Sequence, residues 1–328
     1  MQEVFVYCRI MKKGSLCMER ALKKDLTLLD IFCVATGAMI SSGLFILPGL
    51  AFAHAGPAVL LSYILAGFLC IPTVLSKAEL ITAMPKAGGD YFYIMRGFGP
   101  LFGTLAGFSS WFSLSLKGAF ALIGMGAYLS IITDMPLKAV AMACCLFFIA
   151  LNLLGVKEAG KFQVYLVLAL LGILVAYTVL GIEKIRPDNY SPFFTEGFNS
   201  ILTTASLVFI SYGGLTKVAA LAEETKNPGR TLPLGMVLSI VVTSIVYTAV
   251  ICVTIGVLDP GSLKGTLTPI SDGAGLIGGG ALRTVISVGA FLAFISTANA
   301  GIMTASRYPL GMSRDNILPG IFQKISPR

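Results

Sequence analysis

The chain has 328 residues, of which 56% are hydrophobic and only 12% are charged. Soluble globular domains carry roughly 25% charged residues, so this composition excludes an ordinary soluble domain. The net charge of +8 does not indicate a nucleic-acid-binding protein, because Lys and Arg are concentrated in alternate loops between apolar runs. We therefore expect an all-α integral membrane protein whose partner is the lipid bilayer and not a nucleic acid.

Apolar runs recur along the chain, and each of about eight runs is long enough to cross ~30 Å of hydrocarbon. Lys and Arg precede the first run and follow the even-numbered runs, so the positive-inside rule predicts a multi-pass protein of the cell membrane with its N-terminus in the cytoplasm. Residues 1–25 form the predicted cytoplasmic N-terminal segment. The predicted spans are approximately 26–53, 58–83, 101–132, 137–154, 164–182, 199–222, 232–257 and 281–309.

The first span contains the stretch Gly37-Ala38-Met39-Ile40-Ser41-Ser42-Gly43-Leu44-Phe45 at mid-depth. Glycine and serine lower helix propensity there, although lipid offers no partner for free backbone groups. A break is tolerated only where the freed N–H and C=O groups face a cavity or a ligand. The stretch therefore predicts a discontinuous helix that lines a binding site near the bilayer midplane.

A second stretch of this kind, Phe209-Ile210-Ser211-Tyr212-Gly213-Gly214-Leu215, lies in the sixth span. Because the second stretch lies five spans after the first, the two helices enter the membrane from opposite sides, as in an inverted repeat. We expect residues 26–182 to form the first five-helix repeat and residues 199–309 an incomplete second one. The alternative is close helix packing through small residues, which needs no site.

A broken helix offers free N–H groups on one side of the break and free carbonyls on the other. N–H groups near Ser42 and Gly43 suit a carboxylate, and carbonyls near Ala38 and Met39 suit an ammonium group. The two together suit a zwitterion, which predicts an amino acid substrate. Since neither stretch contains a carboxylate, a neutral amino acid is favoured over a cationic one.

Among the lysines within spans, where charged groups are expensive and tend to be functional, two are candidates for a role in the site. Lys117 is deep in the third span, and Lys217 follows the second stretch. A structural and a functional role are both open for each. We expect no cofactor and no cysteine-based metal site, because most of the seven cysteines lie inside apolar spans and none forms a CxxC pair.

Four stretches resemble motifs of the amino acid–polyamine–organocation (APC) superfamily of permeases, in the family's order and spacing. They are Gly37 with Ser41–Phe45, Pro85–Tyr91, Ala222–Arg230 and Arg307–Asp315. The resemblance implies a LeuT-like fold of ten core helices in two inverted five-helix repeats, with helices 1 and 6 discontinuous. This chain holds only eight spans and ends in what resembles the start of a loop, residues 310–328. We therefore expect a fragment or truncated product that is incomplete for transport.

The same resemblance implies which residues contact the substrate. They are Ser41, Ser42 and Gly43 in the first span and Phe209, Ser211, Tyr212 and Gly214 in the sixth, with Ile210 where some relatives carry a tryptophan gate.

For the coupling ion, some relatives bind sodium between the first break and hydroxyls of span eight. Ser296 and Thr297 could supply these hydroxyls here, with the carbonyls near Ala38 and Ile40 completing a hard-cation site. Lys117 is the candidate for proton coupling instead, since burial makes the protonation of a lysine sensitive to its surroundings.

The predicted function is secondary active transport of amino acids by alternating access, coupled to H⁺ or Na⁺ or working as exchange. A non-transporting amino acid sensor and a channel-like protein of the same fold are the alternatives, although no filter-like repeat indicates a channel. An enzyme is not expected, because the sequence has no HExxH, no GxSxG and no paired aspartates within the spans.

Overall fold

The structure is a computed structural model that describes residues 22–129, 137–154 and 156–323. Most of the predicted N-terminal segment and the end of the predicted last loop lie outside the described residues. The secondary structure of the described part is helical, apart from one isolated parallel bridge between Leu26 and Thr225. An all-helical fold agrees with the prediction and with the need of a membrane span to bond its backbone groups internally.

Thirteen α-helices follow one another in the described part of the chain. They are α1 Leu28–Met39, α2 Ser42–Phe45, α3 Leu47–Ala55, α4 Val59–Ala83, α5 Asp90–Phe98, α6 Pro100–Leu129, α7 Leu137–Leu154, α8 Val156–Ile182, α9 Gly197–Tyr212, α10 Pro228–Val257, α11 Pro260–Leu263, α12 Pro269–Ala305 and α13 Arg307–Arg314. Four 3₁₀ segments complete the fold, at Gly56–Ala58, Pro187–Tyr190, Leu215–Glu224 and Gly320–Gln323.

Five helical stretches of the described chain are long and apolar enough to cross a membrane. They are Leu47–Ala83, Lys157–Ile182, Gly197–Glu224, Pro228–Val257 and Pro269–Arg314. Leu28–Met39 and Ala141–Leu153 are shorter apolar helices. Several spans are therefore present, whereas the count of eight and the inverted repeat stay predictions.

The helix boundaries differ from the sequence-based ones in two loops. The predicted loop between spans two and three contains α5, which buries Tyr91 and Tyr93. The last predicted span begins earlier, at Pro269, and is kinked at Gly278 and Gly279. The predicted final loop also begins as helix, because α13 continues to Arg314. Apolar run length locates membrane-crossing segments and misses helices of mixed polarity such as α5 and α13.

The helices pack in two groups with α1 between them. In one group α12 packs against α6, α7 and α8, and in the other α4 packs against α9 and α10. The helix α1 contacts α8, α10 and α12. The first broken helix is therefore in contact with both groups, which places its break at the centre of the described bundle.

Candidate functional site

The first helix is interrupted inside the predicted stretch. α1 ends at Met39, and α2 begins at Ser42. Between them Ile40 has φ −75° and ψ 98°, and Ser41 has φ −156° and ψ −126°, so both leave the helical conformation. The chain thus crosses the centre of the bundle in a non-helical conformation over two residues.

The sixth predicted span is also interrupted where the sequence indicates. α9 ends at Tyr212, a turn at Gly213 and Gly214 follows, and the chain continues as the 3₁₀ segment Leu215–Glu224. The Gly213 N–H donates to the Ile210 carbonyl oxygen at 3.1 Å. The α-helical backbone hydrogen bonds of α9 therefore end at this turn.

The two interruptions touch each other through glycines. A Cβ atom added to Gly214 would lie 2.3 Å from the Ala38 carbonyl oxygen, and one added to Gly43 would lie 2.4 Å from the Ser211 side chain. Both distances are far below van der Waals contact, so a side chain at either position would push the helices apart. Glycine is required at these two positions by the close approach of the backbones.

A cavity of about 830 Å³ opens beside this crossing, between the first interruption, α6, α9 and α12. Its size is typical of small-molecule sites. Seven predicted residues line it, namely Ser41, Ser42, Gly43, Lys117, Ile210, Ser211 and Thr297. The other lining residues are Ile46, Leu47, Leu50, Ser109, Phe112, Ser113, Leu116, Ala121, Leu207 and Phe294. Lys117 is the charged side chain among the described residues that line the cavity.

Six predicted site residues lie outside the lining of this cavity. Ala38, Ile40, Tyr212 and Ser296 are buried, and Gly214 packs against the Ala38 carbonyl. Phe209 is 36% exposed on the surface of α9. These six residues shape the crossing or the outer surface, and direct contact between them and a bound molecule remains a prediction.

Side chains from other helices occupy several carbonyls at the first break. The Tyr63 hydroxyl donates to the Gly43 carbonyl oxygen and the Tyr247 hydroxyl donates to that of Met39, both at 2.8 Å. The Thr297 hydroxyl donates to the Gly37 carbonyl oxygen, also at 2.8 Å. These acceptors, which the break exposes, are satisfied inside the protein.

The donors at the same break are not satisfied. The N–H groups of Ser41, Ser42 and Gly43 make no hydrogen bond to any residue that the structure describes. All three residues line the cavity. Ser41 and Gly43 are buried, and buried N–H groups are nearly always paired, so this part of the wall favours a ligand with acceptor atoms, and above all a carboxylate.

The tyrosines that bond the break were not predicted as site residues. Tyr63 on α4 and Tyr247 on α10 are fully buried, and their rings pack edge to face with centroids 5.7 Å apart. Tyr212 packs against Tyr247 at 5.3 Å and donates to the Tyr63 carbonyl oxygen at 3.3 Å. The sequence feature that could have indicated these residues is a tyrosine inside an apolar run, because a buried phenol needs a hydrogen-bond partner.

Two of the four predicted sodium ligands, the hydroxyls of Ser296 and Thr297, hydrogen-bond to other protein groups. The Gln163 side-chain amide on α8 donates to the Ser296 hydroxyl at 2.6 Å and to the Cys33 carbonyl oxygen at 3.4 Å. The Asn299 amide in turn donates to Gln163 at 3.0 Å. The hydroxyl of Thr297 is bonded to the Gly37 carbonyl, whereas the Ala38 carbonyl faces Gly214. Sodium coupling through these oxygens therefore stays a prediction.

Three of the four motif stretches meet at one end of the bundle, which we call the charged end and define by Glu223, Glu224, Arg307, Arg314 and Ala87. Arg314 pairs with Glu223 at 2.6 Å, and Arg307 pairs with Glu224 at 2.8 Å. The Ala87 N–H also donates to Glu223, at 3.2 Å. Motifs that lie far apart in the sequence thus form one network of ion pairs.

Comparison with known proteins agrees with this architecture. A family model described as amino acid permease matches residues 26–328. The chain belongs to this amino acid permease family. The permease is therefore a multi-pass membrane protein of a transporter family, which supports a role in amino acid transport in general.

Curated relatives match this permease over most of its length. It is 30% identical to the methylthioribose transporter of Bacillus subtilis and 28% identical to the branched-chain amino acid permease BcaP of the same species. Each alignment covers 94% of this chain and 71% of the relative. It is also 30% identical to the chloroplastic cationic amino acid transporter 9 of Arabidopsis thaliana, over 94% of this chain and 58% of that protein.

Proposed function

We propose that this permease is a secondary transporter that carries neutral amino acids across the cell membrane by alternating access, with its N-terminus in the cytoplasm. The observation that carries the proposal is the cavity at the crossing of two interrupted helices, where the N–H groups of Ser41, Ser42 and Gly43 lack acceptors. The α-carboxylate binds these N–H groups, and the apolar part of the lining receives the side chain.

The lining favours a neutral over a cationic substrate. It includes apolar residues such as Leu47, Leu50 and Phe294, whereas Lys117 would repel a cationic side chain. The name of one relative refers to branched-chain amino acids, which this apolar lining would accommodate. The name of another refers to methylthioribose, so that compound belongs among the test compounds.

The contact between the first broken helix and both helix groups supports alternating access. The two interruptions and their partners α4 and α10 would rock against α6, α7, α8 and α12, in keeping with a LeuT-like inverted repeat. The ion pairs of the charged end would close the cytoplasmic side in the conformation described. The driving ion is H⁺ or Na⁺, or the carrier works by exchange.

The test is counterflow in liposomes that contain the purified permease together with any residues that follow Arg328, because the chain up to Arg328 is expected to be incomplete for transport. Vesicles are loaded with unlabelled leucine, arginine or methylthioribose, and the entry of the labelled compound is followed. A carrier of neutral amino acids accumulates label transiently with leucine and not with the other two. A sensor binds leucine without moving it, and a channel lets label equilibrate without overshoot, so either result would contradict the proposal.

A further inference from the structure

Lys217 is a buried ionisable side chain that the proposed substrate site does not use. It lies in the 3₁₀ segment Leu215–Glu224, directly after the second interruption, and is only 6% exposed. Its Nζ atom has no hydrogen-bond partner among the described residues. An ammonium group that is buried without a partner is strongly unfavourable, so this lysine is either structurally costly or functional.

No carboxylate of the surrounding helices is free to neutralise Lys217. The 3₁₀ segment packs against α1, α4, α10, α12 and α13. Their charged groups are already paired, bonded or exposed in the part of the chain that the structure describes. Asp30 accepts a hydrogen bond from the Thr27 N–H, and Glu79 and Arg230 are exposed. The remaining groups form ion pairs, which are Lys77–Asp90, Arg283–Asp272, Arg307–Glu224 and Arg314–Glu223.

The other titratable groups on these helices are cysteines and tyrosines, which supply no anion at neutral pH. They are Cys33, Cys70, Cys252, Tyr63, Tyr247 and Tyr308. Lys117 of α6 also acts on Lys217 electrostatically, and its charge has the same sign. The surroundings of Lys217 therefore oppose a positive charge on its Nζ atom from every side.

We propose that Lys217 is the group that binds and releases the proton coupled to transport. In the conformation described, its amine is sealed and neutral. When the 3₁₀ segment moves with the second interruption, the amine becomes hydrated and takes one proton from water on one side of the membrane. The movement that opens the site towards the opposite side brings the charged amine to water there. The amine gives its proton to that water as it returns to the sealed, neutral conformation, so one proton crosses with each cycle.

This inference rests on the proposed carrier function and names its coupling residue. It differs from coupling through Lys117, which lines the cavity. It also differs from sodium coupling at Ser296 and Thr297. A lysine can lose its proton, whereas an arginine at the same place keeps its charge. Lys217→Gln therefore makes this side chain permanently neutral, whereas Lys217→Arg makes it permanently charged.

The experiment compares counterflow with proton-driven accumulation in liposomes that contain the purified full chain. A pH difference of about one unit can drive accumulation up to about tenfold for one proton per substrate. Wild type should approach this ratio. Lys217→Gln should retain counterflow while its accumulation ratio falls to that of vesicles without a pH difference, and Lys217→Arg should lose both. Lys161→Gln, at an exposed position on α8, is the matched control and should behave as wild type.

Each other outcome overturns the inference. Undiminished proton-driven accumulation by Lys217→Gln would exclude this lysine as the coupling group. An equal loss of counterflow and accumulation, in Lys217→Gln and in the apolar variant Lys217→Met, would assign a structural role. Counterflow without any proton-driven accumulation in wild type would refute proton coupling and leave the carrier function intact. Binding without movement of any solute would refute both.

Discussion

The hydrogen bond from Tyr63 to the first interruption gives the sharpest prediction of how the site is held. Tyr63→Phe keeps the buried ring and removes only the hydroxyl that donates to the Gly43 carbonyl oxygen at 2.8 Å. Leaving a buried acceptor unpaired costs about 1–3 kcal/mol. Because the neighbouring N–H of Gly43 belongs to the proposed carboxylate site, we expect both lower thermal stability and weaker substrate binding.

The assay is thermal unfolding of the purified protein with increasing leucine, which yields stability and affinity together. Tyr177→Phe is the matched control, since the Tyr177 hydroxyl is also buried and bonds Thr254 at 2.9 Å, away from the cavity. It should lower stability by a similar amount and leave the leucine affinity unchanged. If Tyr63→Phe loses no stability, or weakens leucine binding no more than Tyr177→Phe does, the proposed role of this bond is wrong.

Two further variants test the crossing and the charged end. Gly214→Ala should destabilise the protein, because its Cβ would lie 2.3 Å from the Ala38 carbonyl oxygen, whereas Gly172→Ala has open space and should gain about 0.5–1 kcal/mol in thermal unfolding. Arg307→Gln leaves the buried Glu224 carboxylate without its ion pair, which should cost about 3–5 kcal/mol. If Arg307→Gln lowers the unfolding temperature no more than a control variant at an exposed position does, the predicted cost of losing this ion pair is wrong.

The two interruptions could be predicted because their cause is local. Glycine and serine at mid-span disfavour helix wherever they occur, and the structure breaks both helices within the predicted stretches. The prediction that the two breaks meet required only their matching positions in the chain. Seven of the predicted residues accordingly line one cavity.

The hydrogen bonds at the break could not be predicted in the same way. Tyr63 and Tyr247 come from α4 and α10, and apolar runs do not indicate which carbonyl a tyrosine of another helix will reach. The carbonyls near Ala38 and Met39 were expected to be open to a ligand, yet the Tyr247 hydroxyl occupies that of Met39. Which groups remain free depends on tertiary packing, and only N–H groups remain unpaired at Ser41 to Gly43.

The short helices α5 and α13 were missed for a related reason. Both lie in segments that are too polar to read as spans, and each is held by contacts from distant parts of the chain. Tyr91 of α5 donates to Asp315 at 2.7 Å, and Arg96 pairs with the same carboxylate. Such helices form because the bundle provides their partners, and the local sequence carries little sign of it.

The most direct test of the central claim is protection of the cavity by substrate. Ser113 lines the cavity on α6 and is exposed, so Ser113→Cys in a background without native cysteines can be alkylated from water. We predict that saturating leucine slows alkylation of Ser113→Cys and leaves unchanged that of Glu183→Cys, an exposed position after α8. Equal alkylation of Ser113→Cys with and without leucine, in protein shown to bind leucine, would contradict the account.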